Sequence, residues 1–559
     1  MNAAPPVTSL TWLAAFLPIL VLLVLLVWRR WSTSAAAPLA LAGAVAAALL
    51  FYRTPLHTLA VAAGKGIWDA IFVLYVIWPA LILYNVAHEA GAFGAMQRGL
   101  RHLIPDRLLV VLAFAWVLAS FIQSIAGFGT NLAVTTPLLI GLGVQPVYAV
   151  LLPMIGAAWA NMFGSLGTAW LATQTVVDIP DTTVILRYAA ALIWVPNLMA
   201  GIAIAWFYGK TWALKRGGPA IVALSLIQGG LQFLLVPIIP TIGTFLATSA
   251  SLGALFILNR WGFYRQQDRD EPHLIFTESG KRAFYEENKE REAKLSVKPT
   301  EPSPTPGPRE RPGMSLALAF APYAVLAVLA VTALLIPPVN HILEQFRVGL
   351  PFPDATTGFG VEQKAVDAYA AFTPLTHPGT LLLLSATAGY LLYRKRGLYG
   401  KEDTPAALLS LAAEDALPAT TAIAALLLIS KVMDHSGETT VLALGIAQVS
   451  SPAVYAGASD FIGILGSLVT SSNTASNVLF APLQATAARA QELSVNLILA
   501  AQSAGGAVGN AMAPGDALLG ATVAGLSGRI GAVLARALPW TLITGALVSA
   551  FTLGIYFLM

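Results

Sequence analysis

The sequence predicts an all-α polytopic membrane protein with about 12 transmembrane helices plus two re-entrant hairpins in inverted-topology repeats. Three observations predict it. Apolar stretches of about 20 residues, enough to cross a bilayer, recur along nearly the whole chain. Of 559 residues, 57% are hydrophobic and 11% charged, against roughly 25% charged in globular domains. Two segments, FIQSIAGFGTNLAVTTPLL (121–139) and FIGILGSLVTSSNTASNVLFAPL (461–483), each set a cluster of Gly, Ser, Thr and Asn inside an apolar run. In lipid, backbone that leaves the helix is tolerated only where protein buries it or it lines a cavity. Paired interruptions in two halves point to a transporter's binding site.

Composition also excludes. The chain has no cysteine, so disulfides, thiolate metal sites and cysteine nucleophiles are out. Its net charge of +4 needs no nucleic acid, because loop Lys and Arg set membrane topology. The first apolar run, 10–28, is followed rather than preceded by Arg29 and Arg30, which argues for a retained helix over a cleaved signal.

Spans are expected at 10–28, 35–52, 67–87, 146–170, 183–208, 219–239, 241–259, 315–337, 373–393, 412–434, 494–526 and 533–557, with re-entrant hairpins at 107–143 and 452–487. If both hairpins return to their own side, then Arg29/Arg30, Arg98/Arg101/Arg107, Lys210/Lys215/Arg216, Arg394/Lys395/Arg396/Lys401, Arg529/Arg536 and the 260–313 segment share one face. Arg53, Lys65, Arg187, Arg347 and Lys364 are the few exceptions. This positive-inside pattern places both termini outside. The chain then divides into N-terminal helices (1–66), a first repeat (67–208), connecting helices (209–260), a cytoplasmic charged and Pro-rich linker (261–313), further helices with an external loop (314–411), and a second repeat of opposite orientation (412–559). Within the linker a short helix is expected over 278–294, with disorder after it.

The copy extends past the hairpins. NVAHEAG (85–91) matches KVMDHSG (431–437), and GAAWANM (156–162) matches GGAVGNA (505–511), which sets Asn161 over Asn510. Chance agreement of small-residue helices is the bland alternative, and the ordered match of three blocks weighs against it.

Helix ends expose unpaired N–H groups and partial positive charge, so two hairpin tips meeting near the midplane can hold an anion without a basic side chain. The first tip offers Gly127, Gly129, Thr130 and Asn131; the second offers Ser471, Ser472, Asn473, Thr474 and Asn477. Beyond each hairpin a helix is expected to break, after Asn161 and after Asn510, the second more firmly because Pro514, Gly515 and Asp516 follow. Glycine-driven helix packing is the alternative. Lys431 could neutralise an anion or snorkel to an interface. Asp434 and His435 are related by the repeat to His88 and Glu89, and either pair could carry a proton or simply be solvated at a helix end. Asp460, in the first arm of the second hairpin, is the better-buried candidate for proton binding. Glu414, Asp415 and Asp69 read as near-interface acids.

At these residues the chain resembles the L-lactate permease family of bacterial proton-coupled 2-hydroxycarboxylate importers. The resemblance rests on AGFG (126–129) with GLG (141–143), NTASNVLF (473–480) and SAGGAVGNAMAP (503–514). It implies lactate or glycolate as substrate and a proton as partner; separately, no cofactor and no metal are expected. There are departures. The family usually has an acid at the position of Gln123, Asp at Asn473, Lys at Asn510 and Pro at Asn131. Three charges are thus amides here, and the family's ion-pair logic does not carry over. Ser472, Asn473 and Thr474 also resemble the tip motif of sodium-coupled dicarboxylate carriers.

The expected function is therefore secondary active transport of small 2-hydroxy monocarboxylates, L-lactate first and also glycolate or D-lactate, by proton symport and alternating access in a bacterial inner membrane, among lipid and with no nucleic acid. The alternative is a sodium-coupled carrier of another organic acid. A membrane enzyme finds no HExxH or GxSxG, and an ATP-driven pump finds no GxxxxGK[ST]. A passive channel fits inverted repeats less well.

Overall fold

The structure, a computed structural model, describes residues 5–29, 31–104, 106–127, 129–264, 274–278, 313–526 and 529–559. Among these, nine helices are long and apolar enough to cross a membrane, and the bent pair Pro146–Asn161 plus Gly164–Val176 makes a tenth. The chain is thus a polytopic, overwhelmingly helical membrane protein. Two of the nine, Arg107–Ile125 and Pro452–Thr470, are the leading arms of the two interrupted regions. The helix expected over 278–294 lies, but for Glu278, outside the described residues.

The same order of elements occurs twice. Helix Leu56–Glu89 stops at Gly91, whose φ of +80° only glycine adopts freely, and Ala92–Leu103 follows. Then come Arg107–Ile125, a non-helical tip, Thr130–Gly141, the bent pair, and the long helix from Thr182. In the second half, Pro405–Ser436 stops at Gly437 (φ +89°) and Glu438–Val449 follows. After it come Pro452–Thr470, a tip, Asn473–Ala490, Val495–Gly509, Pro514–Val523 and Ile530–Leu558. The two corresponding helices, Leu56–Glu89 and Pro405–Ser436, pack on each other in antiparallel sense. Asp69 meets Lys431 (3.0 Å), Trp78 donates to Thr420 (3.0 Å), and Asn85 donates to Asp415 (3.2 Å).

Three details differ from the sequence reading. Helix Leu56–Glu89 starts earlier than expected, so Asp69 lies well inside it and is completely buried rather than near an interface. The expected spans 183–208 and 219–239 meet at a sharp bend at Gly209 and Lys210, with a wide helical turn at Leu226–Gly230. The loop before Pro378 is not helical: Val348–Phe352 pairs antiparallel with Val366–Phe372, and Ala355–Thr356 with Glu362–Gln363. Alternation of Val, Tyr and Phe favours strands there. Phe372 anchors this ribbon on Trp68 and Phe72, with ring centroids 5.9 and 5.4 Å apart.

Each hairpin's leading arm is seated by glycine. A Cβ on Gly156 would lie 1.9 Å from the Ala115 carbonyl oxygen, and one on Gly505 would lie 1.9 Å from that of Asp460. Small residues let membrane helices approach this closely, and dispersion then holds them. The residues after the first hairpin also catch the start of the linker: Gln145 N–H donates to Ile275 and Thr277 N–H to Gly143, at 2.8 and 2.9 Å.

Since backbone sets the Gly505 contact, no rotamer change can relieve a new side chain there. Gly505→Val should cost about 1–3 kcal/mol or more, read as a lowered thermal transition in detergent. Gly253→Val, where nothing lies within 4 Å, should leave the transition nearly in place.

Candidate functional site

The two tips and the two helix breaks converge on one polar cavity with about 350 Å³ of empty space, part of it open to its surroundings. The first tip contributes Gly127 and, from the arm before it, Gln123; the second contributes Ser471, Ser472, Asn473 and Thr474. The first break contributes Asn161, Gly164 and Ser165, and the second Asn510 and Asp516.

Local sequence explains each element. The arm Arg107–Ile125 is buried along its whole apolar window, which lets its end unwind without exposing backbone to lipid. Gly129, at φ +79°, caps the returning helix Thr130–Gly141. Thr130 Oγ1 donates to the Gly127 carbonyl at 3.0 Å and to that of Ala126, pinning the tip. At Gly127 the first tip closes on the first break: a Cβ there would lie 2.3 Å from Ser165 Oγ, which would have to turn away. In the second tip Ser471 is left-handed (φ +56°), and Ser472 Oγ caps the next helix by accepting from Ala475 N–H. Ser471 Oγ accepts from Gly515 N–H at 3.0 Å, tying the second tip to the second break. At the first break Ser165, Leu166 and Gly167 are all left-handed. Such strained non-glycine backbone persists where surrounding structure holds it and is enriched at functional sites.

The side chains around the cavity are mostly amides and hydroxyls. Gln123 Nε2 donates to Asn161 Oδ1 at 2.7 Å, so the first arm is joined to the first break. Asn510 Nδ2 donates to Asp516 Oδ2 at 2.8 Å across the second break. Asn473 Nδ2 donates to the Ser503 carbonyl at 3.3 Å. Those acceptors fix which end of each amide is oxygen. The remaining oxygens, Asn473 Oδ1 and Asn510 Oδ1, are buried with no donor among the described residues. Behind the tip, Asn477 Nδ2 donates to Ser503 Oγ at 2.6 Å, and Tyr455, Gln484, Gln502 and Ser476 form a buried chain of hydrogen bonds. Helices Thr130–Gly141, Asn473–Ala490 and Pro514–Val523 all begin at or beside the cavity. Their starts concentrate partial positive charge there, while among the described residues the lining includes no Lys, Arg or His.

Of the residues singled out from sequence, Gly127, Asn161, Ser471, Ser472, Asn473, Thr474 and Asn510 line the cavity. Gly129, Thr130, Asn131 and Asn477 do not; they are buried beside or behind the tips. Lys431 is elsewhere. It pairs with Asp69 and donates to the Thr175 carbonyl at the far end of Gly164–Val176. Its neighbours are His435, which Lys65 Nζ approaches at 3.3 Å, and Tyr369, which donates to Asp69 at 3.1 Å. Asp434 is half exposed beside His435 at 3.7 Å, and His88 and Glu89 contact each other at 3.1 Å. Asp460 is fully buried in the second leading arm, neither oxygen has a donor among the described residues, and it is not part of the lining. Gln123, Gly164, Ser165 and Asp516 were not singled out as binding residues. Asp516 was legible only as part of a helix break, since no pattern in sequence tells which way such a residue turns.

The geometry agrees with what comparison with known proteins finds. Residues 11–559 match the family described as L-lactate permease. The L-lactate permease of Escherichia coli (strain K12) is 26% identical over 546 residues, covering 92% of this chain and 90% of that protein. Glycolate permease GlcA of the same organism is 26% identical over 571 residues, covering 98% and 95%. The L-lactate permease of Bacillus subtilis (strain 168) is 25% identical over 545 residues, covering 92% and 91%. Cavity, helix breaks and full-length match together place the chain in a family of transporters rather than enzymes: it belongs to the L-lactate permease family.

Proposed function

We propose that this protein carries small 2-hydroxy monocarboxylates, L-lactate or glycolate first, across a bacterial inner membrane together with a proton. The observation that carries the reading is a polar cavity where several helices begin and where, among the described residues, no basic side chain intrudes. Such a site suits one small carboxylate held by backbone N–H groups and hydroxyls. The donor-free oxygens of Asn473 and Asn510 favour a ligand with a donor of its own, which the 2-hydroxyl supplies. Relatives named for lactate and glycolate support the same class.

The element order supports alternating access. Two halves of opposite orientation, supported by the antiparallel helices Leu56–Glu89 and Pro405–Ser436, would let hairpins and bent helices shift as a unit around the cavity. A co-transported proton offsets the substrate's charge. A second reading, sodium coupling with another organic acid, draws on the same two oxygens and on the hydroxyls of Ser472 and Thr474, since oxygen ligands suit a hard cation.

Proteoliposomes separate these readings. An inward proton gradient should drive uptake of labelled L-lactate and an inward sodium gradient should not; the reverse result establishes the second reading, and no uptake of lactate or glycolate under either removes the substrate assignment. Propionate, which lacks the hydroxyl, should compete about tenfold more weakly than lactate, because a buried acceptor stays unpaired. Orientation can be read on the native chain, which has no cysteine. Met559→Cys should react with an impermeant maleimide on intact cells, and Lys401→Cys only after permeabilisation.

A further inference from the structure

We infer that Asp516 is the residue that takes up the transported proton, and that it does so inside the substrate cavity. The inference rests on the carboxylate reading above. Among the described residues, Asp516 is the single charged side chain of the cavity lining. It sits in the first turn of Pro514–Val523, and its Oδ1 lies 3.5 Å from where a Cβ of Gly129 would stand. The carboxylate therefore faces the first tip from the second break.

Its surroundings leave it without a counter-charge. The one polar partner found among the described residues is Asn510 Nδ2. Besides the second tip, whose Ser471 meets Gly515, the main elements packed against its helix are, in order, Thr130–Gly141, Pro146–Ala158, Asn510–Met512 and Ile530–Leu558. The first and third contain no titratable side chain; the second has only Tyr148, and the last only Arg536 and Tyr556. Arg536 lies over the Tyr148 ring, 5.8 Å from its centroid, and hydrogen-bonds to the Ala532 carbonyl. Among the described residues no cation therefore pairs with Asp516.

This placement makes coupling a matter of charge. An ionised Asp516 repels an anionic substrate across a small, partly dehydrated cavity. Once a proton passes from hydronium to the carboxylate, one O–H bond of hydronium breaking as the new one forms and water leaving, the repulsion ends and the new O–H can donate to the substrate carboxylate. Substrate and proton then favour each other's binding reciprocally. The other acids lack this position. Asp460 is buried within the second leading arm and outside the lining, and Asp434 and Glu89 border helix ends away from it. As a purely structural residue, Asp516 would complement the helix start and hold Asn510, with no consequence for the pH profile of binding.

The test is the pH dependence of L-lactate affinity in purified full-length protein, read by ligand-induced thermal stabilisation, alongside proton-driven uptake. In the wild type, affinity should fall about tenfold per pH unit above the coupling titration, as linkage of one proton requires. Asp516→Asn should flatten that profile and abolish accumulation against a gradient, while Asp516→Glu should restore a slope. Asp460→Asn should keep the wild-type slope. Should Asp516→Asn not fold, Asn510→Ala decides. Removing a hydrogen bond to the charged form raises the acid's pKa, so the slope should begin at a higher pH. A wild-type slope in Asp516→Asn, an unmoved profile in Asn510→Ala, or a slope lost only in Asp460→Asn overturns the inference. Absence of lactate binding by the wild type at any pH overturns the substrate reading instead.

Discussion

Everything in this structure depends on one constraint: in a hydrocarbon environment a helix can break only where protein surrounds the break. The leading arms meet it in complementary ways. Arg107–Ile125 is buried along its full apolar window, and Pro452–Thr470 lies against Val495–Gly509 through Gly463, Gly505 and Gly509. Because the arms are held this closely, their ends can unwind into tips. Because the tips meet the breaks at Asn161 and Asn510, the freed backbone groups face one polar cavity rather than lipid. The left-handed residues Ser165, Leu166 and Ser471 are concentrated at that meeting point.

A second polar centre, away from the cavity, holds the two halves together. Asp69 and Lys431 pair inside the antiparallel contact of Leu56–Glu89 and Pro405–Ser436. Asn85 and Asp415 occupy the corresponding positions of the same contact. One pair is an ion pair sealed from solvent, the other an amide and a more exposed carboxylate. Breaking a buried ion pair by removing one partner leaves an uncompensated charge, which is far costlier than losing the pair as a whole. Lys431 therefore works as a fixed internal bond, reaching the end of Gly164–Val176 through the Thr175 carbonyl. The helix whose start borders the cavity is thus tied at its other end to the central helix pair.

The amides at Gln123, Asn473 and Asn510 acquire a meaning together that none has singly. Gln123 bridges to Asn161, and Asn510 bridges to Asp516. Neutral side chains close the breaks here by hydrogen bonds, and the cavity keeps one carboxylate. In the proposed reading, a cavity with one acid and, among the described residues, no cation in its lining holds an anion only through backbone and hydroxyl donors, which are weaker singly but aimed by the four surrounding segments.

Much of this was legible in the linear chain. Composition and the recurrence of apolar runs determined a polytopic helical membrane protein. The polar interruptions determined where helices stop, because Gly, Ser, Asn and Pro at those places have local reasons to leave the helix; seven of the twelve binding residues read from sequence line the cavity. Tertiary structure alone decided the rest. The depth of Asp69 depended on where its helix starts, and helix boundaries are weakly encoded locally. The role of Lys431 depended on a partner more than 300 residues away. The direction in which Asp516 turns depended on Asn510 and on the first tip coming to meet it. Periodicity fixes which residues can share a face of one helix; which faces of distant helices meet is settled only by packing.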